Sequence, residues 1–218
     1  VLLLVRELGI GGCERDLSRV ARSLDRARFA PHVGCFHDQG FRAAEIREAG
    51  VPVVRFPVRS FKDRTFWRGF GQLREYIRRH RIGLVHAYDA PMDIFAAPLR
   101  LLPRPPRVLL NHLWLRDCLR PPTTQRLLRL TDWLGDCFVT NSLAARDEMI
   151  HRFGRRPERV LLCYNGVDSS QFHPRGRARR PGLVAARLVI GSVCALRPEK
   201  RIDVLVEAFA RLDPARRG

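Results

Sequence analysis

Short runs of leucine and β-branched residues alternate along this chain with longer stretches of helical period, and no other feature constrains the fold as strongly. Strand candidates fall at residues 1–6, 32–37, 51–56, 83–88, 107–112, 137–141 and 160–164, each followed by room for a helix. A strand that returns through a helix lies parallel to the one before it. The pattern therefore predicts an α/β fold, a parallel sheet with helices on both faces.

Two strand-to-helix junctions stand out. The first reads Gly9-Ile10-Gly11-Gly12-Cys13-Glu14-Arg15 and the second Leu196-Arg197-Pro198-Glu199-Lys200-Arg201. Such junctions hold phosphorylated ligands in α/β proteins, because the helix that starts there points free amides outward. After Gly12 the apolar residues Cys13, Leu17, Val20, Ala21 and Leu24 recur at helical spacing and are expected to face the sheet, with Glu14 and Asp16 in the first turn. Further helices are expected at residues 41–49, ended by Gly50 and Pro52, at 66–79, and at 91–102, stopped by Pro103, Pro105 and Pro106.

The pattern dissolves at Arg175-Gly176-Arg177-Ala178-Arg179-Arg180-Pro181-Gly182, which reads as an interdomain linker. Residues 1–174 are expected to form one domain and 175–186 the linker. Residues 187–218 are expected to supply the first strand, at 188–195, and first helix, at 202–212, of a second one. The chain opens within a strand and stops after that helix, so the expectation is a sequence cropped at both ends, with a second sheet begun and not completed.

Formal net charge is 40 − 22 = +18, yet only Lys62 and Lys200 are lysines. Arginine spread along the whole chain reads as solvated helix faces rather than a nucleic-acid stripe, and no nucleic-acid partner is expected. The six cysteines are far apart with no metal-ligand spacing, which suits core packing and argues against a metal site. No segment approaches the about 18 apolar residues of a membrane span, and no charged-then-apolar leader opens the chain. A cytoplasmic protein is expected.

The glycine cluster invites a dinucleotide reading. That fingerprint wants a third glycine where Glu14 stands and a ribose-binding acid at the end of the second strand, where Asp38 is a poor substitute. An NAD-binding or epimerase-like module is the alternative kept open by the turn alone.

Five short motifs in order narrow the choice: Gly11-Gly12-Cys13-Glu14-Arg15, Val85-His86-Ala87, Asn111-His112, Tyr164-Asn165-Gly166-Val167-Asp168 and Arg197-Pro198-Glu199-Lys200-Arg201. With these the chain resembles the family 4 retaining glycosyltransferases, whose GT-B architecture pairs two Rossmann-like domains, and the resemblance spans essentially all of it. It implies a Rossmann-like amino-terminal domain that holds the acceptor and a second domain that holds a nucleotide-sugar donor, with sugar transfer to a glycan or lipid-linked acceptor between them. It also implies that Arg197 and Lys200 contact the donor diphosphate, that His112 lies beside the transferred sugar, and that Gly11, Gly12, His86 and Asp89 face the cleft. Fixed cations and helix amides can stabilise a departing diphosphate unaided, so no metal and no cofactor are expected.

One departure from the family matters. Its paired glutamates, seven residues apart beside the donor sugar, belong to a later stretch that this sequence does not reach, so the chain alone is expected to be inactive. Lipid-linked acceptors suggest peripheral membrane contact at the inner face. Trp114, Leu115 and Leu119, then Leu127, Leu128, Leu130 and Trp133, interleave with Arg116, Arg126 and Arg129 in a way that fits an anionic membrane surface. The same spacing fits a helix packed on the sheet, and packing is the expectation.

Overall fold

A computed structural model describes residues 1–111, 122–173, 189–194, 196 and 198–212. Seven strands form one parallel sheet: β1 (Leu2–Glu7), β2 (His32–His37), β3 (Val53–Arg55), β4 (Leu84–Ala87), β5 (Arg107–Asn111), β6 (Cys137–Thr140) and β7 (Val160–Leu162). Their order is β3-β2-β1-β4-β5-β6-β7. Chain order runs outward to one side as far as β3, then crosses back beyond β1 and runs outward to the other. The seven strands expected between residues 1 and 164 are present, several of them shorter at their ends.

The apolar run Leu2-Leu3-Leu4-Val5 lacks the polar alternation of a one-sided strand because both its faces are covered. Leu2 and Leu4 enter one core with Phe56, Leu73, Phe95 and Val108, while Leu3 and Val5 enter the other with Leu17, Ala21 and Ile46. Each of the buried leucine, isoleucine, valine and phenylalanine side chains among these contributes about 1.5–3 kcal/mol. The helices α1 (Gly12–Ser23) and α2 (Phe41–Glu48) supply the second core, and α3 (Arg64–Arg79) and α4 (Ala90–Ala96) the first. The helices α5 (Pro122–Leu134) and α6 (Leu143–His151) complete the unit.

Local chemistry explains where the helices stop and start. The amide of Thr65 donates to the Asp63 carboxylate at 2.7 Å, so α3 begins two residues earlier than its apolar period suggested. The expected helix at 91–102 is divided: α4 ends at Ala96 and a 3₁₀ turn covers Ala97–Leu101. Pro98 is the cause, since it has no amide to continue the ladder. Both α2 and α3 close with the same pair of bonds. Val51 N–H donates to Ile46 and Gly50 N–H to Arg47, while Ile82 N–H donates to Ile77 and Arg81 N–H to Arg78. The left-handed position in these caps is Gly50 in one (φ 70°) and Arg81 in the other (φ 49°).

Two compact units divide at Gly166 and Val167. The second holds a turn in which Phe172 N–H donates to Asp168 O at 2.8 Å, a 3₁₀ turn at Pro198–Lys200, and α7 (Ile202–Ala210). The strand expected at 188–195 is not found among its described residues, because Val189–Cys194 has no ladder partner there. The linker expected at 175–186 lies outside the described residues.

Candidate functional site

A parallel sheet whose strand order reverses opens a crevice at the carboxyl ends of the strands on either side of the reversal. Here the reversal falls between β1 and β4, and a cleft of about 400 Å³ lies there, wholly within the first unit. Its walls are the first turns of α1 (Gly12, Cys13, Asp16), the end of β4 (His86, Tyr88), Asn111 ending β5, and Asn141 following β6. Cys163–Gly166 after β7 close it.

The start of α1 is open. Gly11 is the N-cap in extended backbone and no side chain caps the helix, leaving the amides of its first turn without a capping partner. A methyl group on Gly12 would meet nothing within 4 Å, whereas one on Gly11 would collide with the flexible Glu14 carboxylate. Gly12 is thus kept small by no neighbour in the described protein. Farther along, Asp16, Val20 and Ser23 continue the wall at helical spacing. The sequence stripe therefore requires correction: Leu17, Ser18 and Ala21 face the sheet, while Val20 is 38% exposed and faces the cleft. The helix has two partners, and the apolar period registers only the larger one.

His86 and Tyr88 stack with ring centroids 4.3 Å apart and planes inclined by 37°. The His86 Nε2 is enclosed and has no hydrogen-bond partner among the described residues. Burial brings its pKa down from 6.5 to about 4, so the imidazole is neutral at physiological pH. Burial also raises the Tyr88 phenol, with the nearby Asp16 charge adding to the effect. The Cys13 thiol is pushed up to about 12 by burial and then by Asp89, Glu14 and Asp16, so it is a protonated thiol and no nucleophile. Asp16 is raised by burial, against the pull of Arg15 and Arg19. Arg19 itself donates to Gly166 O at 2.7 Å, fastening α1 to the segment after β7. Asn111 donates to Tyr88 O at 3.2 Å and Asn141 to Asn165 Oδ1 at 3.3 Å, which ties the strand ends together. The cleft is mainly apolar, with a few polar groups, Tyr88, Asn111, Asn141 and Asn165, and the charges of Asp16 and Arg19 on one wall, the kind of lining that orients a ligand by a small number of polar contacts.

Of the residues singled out in the sequence, Gly12 and His86 line this cleft, and Gly11 caps the helix beside it. Asp89 does not line it. One carboxylate oxygen accepts from Arg6 N–H at 2.8 Å and the other from Met92 N–H at 3.0 Å, so Asp89 caps α4 and ties it to β1. His112 and Arg197 lie outside the described residues. Lys200 is exposed at the end of the 3₁₀ turn before α7, followed by Arg201 in the left-handed region at φ 47°. Asn111 and Asn165 stood in the sequence motifs without a role at the site, and Tyr88 and Asn141 escaped the sequence reading, although each follows or ends a strand, which is the signal that locates them. Asp38, the weak candidate for a ribose contact, is engaged by Arg47 at 3.2 Å.

Among the described residues Cys35 is buried, Cys13 and Cys137 are intermediate, and Cys163 and Cys194 are exposed, which corrects the expectation of core packing for the last two; Cys118 lies outside the described residues. Among the described residues no three His, Cys, Asp or Glu side chains gather as a metal site, and no helix is long and apolar enough to cross a membrane.

Residues 10–171 match the family described as Glycosyltransferase Family 4. Over 90 residues the chain is 37% identical to a D-inositol 3-phosphate glycosyltransferase of Actinosynnema mirum, covering 38% of this chain and 22% of that protein. A protein of the same name from Stackebrandtia nassauensis is 35% identical over 81 residues, 36% of this chain and 18% of its own. Among solved structures, Anabaena Alr3699/HepE in complex with UDP and glucose aligns with a TM-score of 0.73 at 21% identity, over 98% of this chain and 58% of that one. A glycosyltransferase from Rickettsia africae aligns at 0.61 and 15% identity, over 98% and 50%. The matched stretches thus span about a fifth of these curated relatives, and 58% and 50% of these two solved chains.

Proposed function

The chain belongs to Glycosyltransferase Family 4, and on that premise we propose that it serves the transfer of a sugar from a nucleotide-sugar donor to a hydroxyl of a glycan or lipid-linked acceptor, with retention at the anomeric carbon. The observation that carries this reading is the cleft at the β1/β4 reversal, lined by the uncapped start of α1, by His86 and Tyr88, and by Asn111, Asn141 and Asn165.

In the transfer, the bond from the anomeric carbon to the diphosphate breaks, a bond to the acceptor oxygen forms, and the proton of the acceptor hydroxyl passes to an oxygen of the departing diphosphate. A neutral imidazole accepts a hydrogen bond from that hydroxyl and orients it. His86 is suited to this task because burial keeps it unprotonated. Tyr88, Asn111 and Asn141 bind further hydroxyls. The amides at Gly12 and Cys13, at a helix start that no side chain caps, meet negative charge. His112, which follows Asn111, would lie against the transferred sugar, and Arg197 and Lys200 would neutralise the departing diphosphate, so that no metal and no cofactor are called for. A lipid-linked acceptor would bring the protein to the cytoplasmic face of a membrane.

The test is a panel of nucleotide-sugars assayed on the longest natural polypeptide that contains this sequence. Transfer that survives a chelator and fails in His86→Phe, which keeps the enclosed ring volume, is the expected result. Lys200→Ala should weaken donor binding in calorimetry, and His112→Ala should lower turnover more than stability. Tight NAD binding with no sugar transfer would overturn the proposal.

A further inference from the structure

The sheet ends at β3, two strands away from β1 and the reversal that forms the cleft. Val33 N–H donates to Pro52 O at 2.9 Å and Phe56 N–H to Cys35 O at 2.8 Å, which fixes the phase of the ladder between β2 and β3. The amides and carbonyls of Val53 and Arg55 consequently point away from β2, and no described residue takes them up. Beside this edge lies a second cavity, of about 630 Å³, with Val54, Arg55 and Phe56 on one wall and α3 on the other. The helix wall carries Arg68 and Arg79, which form no ion pair among the described residues. The acid on that wall, Glu75, is held by Arg78 at 2.7 Å. Gly71 opens the same wall. A glycine inside a helix costs stability, yet a methyl group on Gly71 would meet nothing within 4 Å, so no neighbour requires it. Gly69 differs, because a methyl group there would collide with Val58.

We propose that this edge is a docking site for an extended acidic segment of a partner protein, which adds to the sheet as a further strand beside β3. Its backbone pairs with the open groups of Val53 and Arg55, and its side chains alternate between the two faces of the sheet. Those on the α3 side are carboxylates, set against Arg68 and Arg79 in the space that Gly71 leaves. The occupant is chosen by what it satisfies. A small anion would meet the arginines and leave the ladder groups unpaired. A second copy of the chain, joined edge to edge, would bring Arg55, Arg68 and Arg79 against their own counterparts. A short strand bearing arginine resists indiscriminate pairing, and the same arginines admit a strand of opposite charge.

Fluorescence anisotropy tests this, with a labelled Val-Glu-Val-Glu-Val-Glu peptide titrated by the longest natural polypeptide that contains this sequence. Binding should weaken with salt, and a peptide with lysine in place of glutamate should not bind. Methylation of alternate peptide nitrogens leaves every charge in place, and in one of its two phases it should lower affinity by at least about tenfold. Arg68→Gln combined with Arg79→Gln should lower affinity by about tenfold, while Arg74→Gln, exposed on the same helix outside the cavity, should stay within about twofold. Gly71→Leu should abolish binding while its urea midpoint holds or rises, a pairing that a merely structural glycine would not give. No binding of the acidic peptide at millimolar concentration would overturn the proposal. So would full affinity in the double arginine variant or in Gly71→Leu, an equal loss in Arg74→Gln, or tolerance of methylation in both phases. Self-association of the wild-type polypeptide that Gly71→Leu abolishes would assign the edge to a second copy instead.

Discussion

Acid should weaken this fold through His86, and by a predictable amount. The imidazole titrates near 6.5 in an unfolded chain and at about 4 in the folded one, because burial disfavours its charged form. A folded pKa below the unfolded one means that the unfolded chain takes up the proton first as pH falls. The stabilisation is therefore complete above about pH 6.5 and drains away between there and about pH 4. At about 1.4 kcal/mol for each unit, the loss reaches about 2 kcal/mol at pH 5 and about 3 kcal/mol at pH 4. That is a large part of the 5–15 kcal/mol typical of a domain. Urea unfolding of the wild-type chain and of His86→Phe, compared from pH 7.5 to pH 4, isolates the effect. His32, also lowered by burial, acts in the same direction, and Asp16 and Asp89, raised by burial, act in the opposite one. These contributions are common to both proteins and cancel in the difference. The gap between the two stabilities should shift by about 3 kcal/mol across the range, against the wild type as pH falls. A gap independent of pH would refute the enclosure of the imidazole and with it the neutral acceptor of hydrogen bonds placed in the cleft.

Gly12→Ala meets open space, so its melting temperature should hold or rise by a few degrees, while sugar transfer falls about tenfold if a ligand approaches that backbone. Arg81→Gly should stabilise by about 1 kcal/mol and Gly50→Ala destabilise by a similar amount, read as opposite shifts in the urea midpoint, since both positions are left-handed helix caps. Asp89→Ala should cost about 2 kcal/mol in the same measurement, because it orphans the amides of Arg6 and Met92.

The strands were legible because a sheet covered on both faces leaves unbroken apolar runs such as Leu2-Leu3-Leu4-Val5. What the sequence concealed arises from residues with two neighbours. Val20 has the period of a sheet-facing residue but looks into the cleft, and Asp89 has the position of a ligand contact but spends both oxygens on backbone amides. In α5 one apolar period covers two faces, and only tertiary contacts separate buried Leu128 from exposed Leu130. Pro98 shows the reverse case, in which a local rule read from the sequence would have divided the helix at 91–102 correctly.

The place of β1 in the sheet also sets a schedule for assembly. Its pairing with β2 joins Leu2 to His32, but its other edge pairs with β4, joining Leu2 to Val85. During synthesis, then, the most water-averse segment of the chain waits for some eighty further residues before its second neighbour arrives. Until that moment one ladder of amides and carbonyls on β1 stays open to strangers, and a ribosome paused short of Val85 would hold out a strand that any passing partner can join.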